Sequence, residues 1–143
     1  LTQITEHPSA DSPQALHEVA SLIQRKSLVV LLGDFFFSVD ELTPCLHHFR
    51  QYGNDVLLMH VLDPIEQSLS VEGPIRFQDL ETGREVVAQA QDLRGKYCEA
   101  IEQWQADLQA ACRGHDVDYC LLNTTDSLDQ ALARYLATRS EMY

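Results

Sequence analysis

The run Leu28–Ser38, LVVLLGDFFFS, constrains the fold more than any other stretch of this chain. Five consecutive apolar residues, Leu28 to Leu32, predict a strand buried on both faces, since a strand with one wet face would alternate apolar and polar. Gly33 and Asp34 follow where a tight turn would leave the strand. Ser38 and Glu41 then spell S-x-x-E, a capping box that opens a helix, and Phe37 with Leu42 has the spacing of a hydrophobic staple. Open α/β sheets build their sites where buried strands end at their carboxyl tips. Asp34 is therefore the first candidate for chemistry.

The same alternation continues along the chain. Ser12 is placed to cap a helix with Pro13 at its first position. Leu16, Val19, Ala20 and Ile23 follow helical spacing, and Arg25 and Lys26 suit the dipole at its end. Leu42, Cys45, Leu46 and Phe49 mark the buried stripe of the second helix, which Gly53 terminates. A second apolar strand runs from Val56 to Leu62 and stops at Asp63-Pro64. Between Pro74 and Ala88, Ile75 and Phe77 alternate with polar residues, Glu81-Thr82-Gly83 signals a turn, and Glu85-Val86-Val87 returns, as in a β-hairpin. Leu93, Tyr97, Ile101, Trp104, Leu108 and Cys112 then form a long helical stripe, widened by Ala100 and Ala111 and ended by Gly114. A third strand, Val117 to Leu122, leads into Asn123-Thr124-Thr125. Ser127 and Gln130 make a second capping box, and Leu128, Ala131, Leu132, Tyr135 and Leu136 carry the last helix.

Strands alternating with helices imply parallel pairing and right-handed crossovers, hence an α/β domain. Three central strands make a small parallel sheet with open apolar edges, and such edges invite self-association. Either a neighbouring chain completes the sheet, or upstream strands do. The first residue is Leu1 rather than Met, so the second explanation is preferred.

The 143 residues suit one domain, and 45% of them are apolar, enough for a core. A net charge of −12 disfavours nucleic acid and anionic lipid as partners. Cys45, Cys98, Cys112 and Cys120 lie too far apart for a structural zinc site and read as buried thiols of a reducing, cytoplasmic compartment. No segment approaches the roughly 18 apolar residues of a membrane span, so no membrane contact is expected. The polar start, LTQITEHPSAD, has no signal-peptide pattern.

The succession SLVVLLGDFFF, DVLLMHVLDPIE, GPIRFQDLETGREV, AACRGHDVDYCLLNT and SLDQALARYL resembles a bacterial group of von Willebrand factor A-like proteins, the fifty-eighth domain family of unknown function. The resemblance runs from about Asp11 onward. It rests on L-D-P after the second strand, F-x-D-x-E-T-G in the hairpin and V-D-Y before the third strand. It implies a Rossmann-like parallel sheet of von Willebrand A type with an inserted hairpin, and it implies that residues 1–143 are the C-terminal portion of that domain. The family's Asp-x-Ser-x-Ser metal motif does not occur here. The threonine of its second loop falls on Ala10, with Asp11 beside it. Asp34 matches the acidic residue of the third loop. Asp34 and Asp11 are thus the metal-ligand candidates, with Mg2+ expected only where upstream residues complete the set.

Each candidate has a plainer role. Asp34 and Asp63 could be turn residues capping backbone amides. Thr124 and Thr125 could start the last helix. Phe35, Phe36 and Phe37 cannot all point into one core from a short loop. An exposed aromatic beside an acidic rim suits a protein interface. Phe35, Phe36, Asp63 and Thr124 are the partner-binding candidates. His47 and His48, being adjacent on a helix, point in different directions, and His60 reads as a core histidine. No nucleophile triad and no glycine-rich phosphate loop is spelled.

The expected function is a non-enzymatic interaction domain. By resemblance it would act as an adaptor in complex assembly or maturation with a MoxR-like AAA+ ATPase. The alternative is an Asp34-dependent, metal-assisted hydrolase.

Overall fold

The computed structural model describes residues 13–78 and 85–141. The expected cap at Ser12, the metal candidate Asp11 and the turn Glu81-Thr82-Gly83 lie outside them. In chain order the elements are α1 (Pro13–Leu22), β1 (Leu28–Gly33), α2 (Val39–Arg50), β2 (Asp55–Leu62), α3 (Pro64–Ser68), β3 (Pro74–Gln78), β4 (Glu85–Gln89), α4 (Ala90–Gly114), β5 (Val117–Asn123) and α5 (Leu128–Glu141). The architecture is α/β, with a parallel sheet in the order β1-β2-β5 flanked by helices. The hairpin β3-β4 is a separate antiparallel pair, in register from Pro74 opposite Gln89 to Gln78 opposite Glu85.

Strand order decides burial. β2 is central, and Val56 through His60 are all buried. Among the described residues β1 is at the edge, and it is not buried on both faces as its spelling predicts. Val29 and Leu31 are 8% exposed, whereas Leu28, Val30 and Leu32 are 61%, 49% and 66% exposed. An unbroken apolar run does not reveal whether a strand has two neighbours or one.

The chain forms two compact units. One runs through α1, β1 and α2 to Met59 and resumes over Leu108–Tyr119; the other spans His60–Asp107 and continues from Cys120. In the first, α2 buries Leu42, Cys45, Leu46 and Phe49, the stripe its spacing predicts. The Cys45 thiol donates to the Pro13 carbonyl at 3.2 Å, tying the start of α1 to that stripe.

Ser38 occupies the N-cap position, but its side chain makes no capping bond, so the expected box with Glu41 does not form. The Ser38 carbonyl accepts from Glu41 N at 3.0 Å and Leu42 N at 3.1 Å, so the main chain closes the first turn. Beyond α2, Gly53 takes φ +69°, the left-handed conformation that glycine adopts without penalty.

Asn54 follows and is fully buried. Its Oδ1 accepts from Ser27 N at 2.8 Å and its Nδ2 donates to Phe49 O at 2.7 Å. The Arg50 guanidinium donates to the Asn54 carbonyl and lies 3.9 Å from Asp55 and 4.0 Å from Asp116. One amide thus joins the end of α2, the lead-in to β1 and the start of β2.

At the far end of α4, Leu108 and Cys112 are buried. Desolvation pushes the Cys112 thiol up to about 12, against a smaller opposing pull from Arg113. Gly114 is still helical; the left-handed residue is Asp116, at φ +53°. Asp tolerates this region better than most side chains. Ala100, expected to widen the α4 stripe, is exposed.

In the second unit, α4 grips the segment before the hairpin through polar contacts. Arg94 Nε and Nη2 donate to the carbonyls of Leu69 (3.2 Å) and Val71 (2.9 Å), and the Tyr97 hydroxyl donates to Glu66 O at 2.7 Å. Leu69 is held left-handed, at φ +45°, as the C-cap of α3. His60 is fully buried and meets Trp104 edge-on at 4.9 Å, as a core histidine. On α5, Leu128 and Leu136 are exposed, so that part of the expected stripe faces outward. The side chains of Gln130 and Ala131 lie outside the described residues, and with them the expected second capping box.

Two outcomes follow for folded chain in solution. Asn54→Ala leaves the buried Phe49 carbonyl unpaired and frees the part-buried Ser27 N–H, and should cost about 1–3 kcal/mol in urea unfolding, without changing the slope. Cys45 and Cys112 should resist a thiol-specific disulfide reagent at pH 8 in the native chain and react fully in denaturant.

Candidate functional site

The loop after β1 is shaped by aromatic burial rather than by glycine. Gly33 remains in the strand, and the left-handed residue is Phe35, at φ +52°. This places the turn one residue beyond the expected Gly33-Asp34. A non-glycine residue there costs roughly 1–2 kcal/mol. The Phe35 ring folds back over Gly33 and is only 5% exposed. Burying a Phe ring returns roughly 1.5–3 kcal/mol, enough to hold the strained backbone.

Phe37 N then donates to Phe35 O, closing a three-residue turn around Phe36. Phe36 is 48% exposed, Asp34 beside it is exposed, and Phe37 is half-buried. The crowding expected of three consecutive phenylalanines is thus resolved by turning Phe36 out and Phe35 in.

The loops after β2 and β5 meet within the second unit. Thr124 Oγ1 donates to Asp63 Oδ2 at 2.6 Å, and Thr124 N donates to Leu62 O at 3.1 Å. The other Asp63 oxygen accepts from Ile65 N at 2.9 Å, while Glu66 accepts from Asp63 N at 2.8 Å. Together these are a complete capping box on α3, with Pro64 at its first position. The helix was not expected from the sequence, although its signal is legible: D-P-x-E at Asp63–Glu66 carries the cap, the N1 proline and the returning glutamate. The Thr124 hydroxyl, and next the Ile65 amide, hold the Asp63 carboxyl below its usual value near 3.8. Beside it, Asn123 Nδ2 approaches Gln67 Oε1 at 3.4 Å.

The structure thus brings Asp63 and Thr124 into contact and sets Asp34 and Phe36 side by side on an exposed turn. Phe35 is buried, and Asp11 lies outside the described residues. Among the described residues, no three His, Cys, Asp or Glu side chains gather as metal ligands. Both Asp63 oxygens are committed to protein donors. Magnesium takes near-octahedral oxygen coordination, which the described residues do not supply. No helix among the described residues is long and apolar enough to cross a membrane.

The model of one protein family, described as a protein of unknown function, DUF58, matches residues 2–107. The chain belongs to the DUF58 family. The match takes in β1, α2, β2, α3, the hairpin and most of α4, which include the Asp34–Phe36 turn and the Asp63 cap; β5 and α5 follow it. No curated protein and no solved structure matches the chain. The DUF58 membership expected from L-D-P and F-x-D-x-E-T-G is therefore met, and two of the three phrases, those ahead of V-D-Y, fall inside the matched span.

In this DUF58 chain the Asp63 cap is a titratable structural element. Its carboxyl is depressed when folded, so its contribution to stability is present above the unfolded value and is lost as pH falls through the folded one. Thr124→Val removes the larger of the two causes. The Asp63 carboxyl carbon should then titrate closer to 3.8 in an NMR pH series.

Proposed function

We propose that this DUF58 chain is a non-enzymatic, von Willebrand A-like interaction domain. It acts in the bacterial cytoplasm as an adaptor with a MoxR-like AAA+ ATPase during complex assembly or maturation. The observation that carries this reading is the turn after β1. It holds an apolar ring, Phe36, out of the core beside the exposed carboxylate of Asp34. Large exposed aromatics are enriched as interface anchors, and a neighbouring charge sets orientation and partner choice.

Asp63 and Thr124 form a second, separate contact point on this reading. Their mutual hydrogen bond fixes the loop shape, and the exposed Thr124 presents it.

The test is binding of the full chain to a purified MoxR-like AAA+ ATPase by biolayer interferometry. Phe36→Ser should weaken it at least tenfold and Asp34→Asn several-fold, with the circular dichroism spectrum unchanged. Undiminished binding by Phe36→Ser, or no binding by the parent chain, would overturn the reading.

A further inference from the structure

Helices α1 and α2 of the first unit meet along a seam that begins where the Cys45 thiol donates to the Pro13 carbonyl at 3.2 Å. One turn further along each helix stand His17 and His48, four residues on from Pro13 and three on from Cys45. These are the spacings that keep side chains on one helix face. The two Nδ1 atoms lie 3.3 Å apart. The ring centroids are farther apart, at 5.5 Å, and the planes are tilted by 40°, so the imidazoles meet nitrogen-first rather than stacked. Both residues are half-buried.

Two histidines so placed can share a proton, one Nδ1 donating to the other. The same arrangement suits a metal ion. A neutral imidazole whose proton sits on Nε2 presents its lone pair at Nδ1. Two imidazole nitrogens on a tetrahedral metal, each bonded at roughly 2.0–2.1 Å, stand about 3.3–3.4 Å from each other. The nitrogens of His17 and His48 already have that separation.

We infer that His17 and His48 bind one divalent transition metal of the Zn2+ class through both Nδ1 atoms. Imidazole favours such ions over magnesium and calcium, which take oxygen ligands. The net charge of −12 favours any cation near this surface. No third His, Cys, Asp or Glu joins the pair among the described residues. The two histidines therefore make an open site, unlike the closed four-ligand zinc centres that hold small folds together. Binding leaves the proton count unchanged: the donating ring gives its Nδ1 proton to solvent and takes one on Nε2. The ion becomes a second tie between α1 and α2, beside the Cys45–Pro13 bond.

The unit contains its own contrast. His47, next to His48 on α2, meets His115 with centroids 5.9 Å apart and planes 65° apart. In such an edge-to-face contact one ring offers its face and not a nitrogen. The inference does not rest on the adaptor reading, because neither His17 nor His48 lies on the Asp34–Phe36 turn.

Zinc titration of the full, isotope-labelled chain, followed in proton–nitrogen correlation spectra of the histidine rings, tests it. The Nδ1 signals of His17 and His48 should shift together and saturate at one Zn2+ per chain, while those of His47 and His115 stay in place. Mg2+ should move neither pair. In calorimetry, His17→Gln or His48→Gln should weaken Zn2+ binding about tenfold or more, and His47→Gln should leave it unchanged. Zn2+ should also raise the melting temperature of the parent but not of His17→Gln, since the paired ligands exist only in the folded chain. The proposal fails if the parent shows no saturable zinc binding. It fails equally if zinc binds without moving the His17 and His48 signals, if Mg2+ moves them as zinc does, or if both glutamine variants bind at full strength.

Discussion

The first unit of this protein depends on one buried amide. Asn54 has no access to water, and an amide buried without partners costs several kcal/mol. The chain can bury it only by presenting Ser27 N and Phe49 O together. That requirement fixes where α2 ends and where the lead-in to β1 lies. Asp55 N, one residue on, takes the Ser27 carbonyl, so Ser27 is held through both of its backbone groups. A strand's faces alternate with a period of two, and a slip of one residue would exchange them. The Asn54–Ser27 contact therefore sets which β1 side chains enter the core and which do not.

The loops at the carboxyl ends of the strands solve a different problem. Each must leave its strand sharply, and neither uses glycine to do so. After β1 the backbone accepts a left-handed phenylalanine, and the buried Phe35 ring offsets the strain. After β2 an aspartate caps a five-residue helix and engages the threonine that follows β5. The first solution leaves an exposed carboxylate and an exposed ring on a tight turn. The second leaves a carboxylate whose oxygens are both occupied. Two acidic residues in matching sequence positions are thus unequal: Asp34 is exposed on its turn, whereas Asp63 is engaged through both oxygens.

Much of this was legible in the residues. The α2 stripe, the span of β2, the hairpin strands, the length of α4 and the DUF58 resemblance all follow from periodicity and phrase, because local spacing dictates them. What escaped depends on information that spacing does not carry. Leu28–Leu32 and Val56–Leu62 have similar spelling, but strand order gives one a single neighbour and the other two. Ser38 and Asp63 both begin a capping pattern. Only Asp63 caps through its side chain; at Ser38 the main-chain carbonyl alone closes the first turn. The left-handed positions at Phe35, Leu69 and Asp116 were hidden because tertiary contacts, not glycine, impose them.

The edge of β1 and the acidity of the whole molecule pull in opposite directions, and the conflict is informative. A surface with an excess of acidic residues keeps copies apart, and substitution of one residue in Leu28–Leu32 by lysine or glutamate would guard the edge at little cost, since alternate positions already face outward. The strand instead keeps five apolar residues and concentrates its charges just beyond them, basic before and acidic after. Burial in the core explains Val29 and Leu31 but not the other three. Apolar side chains at Leu28, Val30 and Leu32 share the outward face of the strand, where a layer packed on the sheet, rather than a strand added beside it, would bury them.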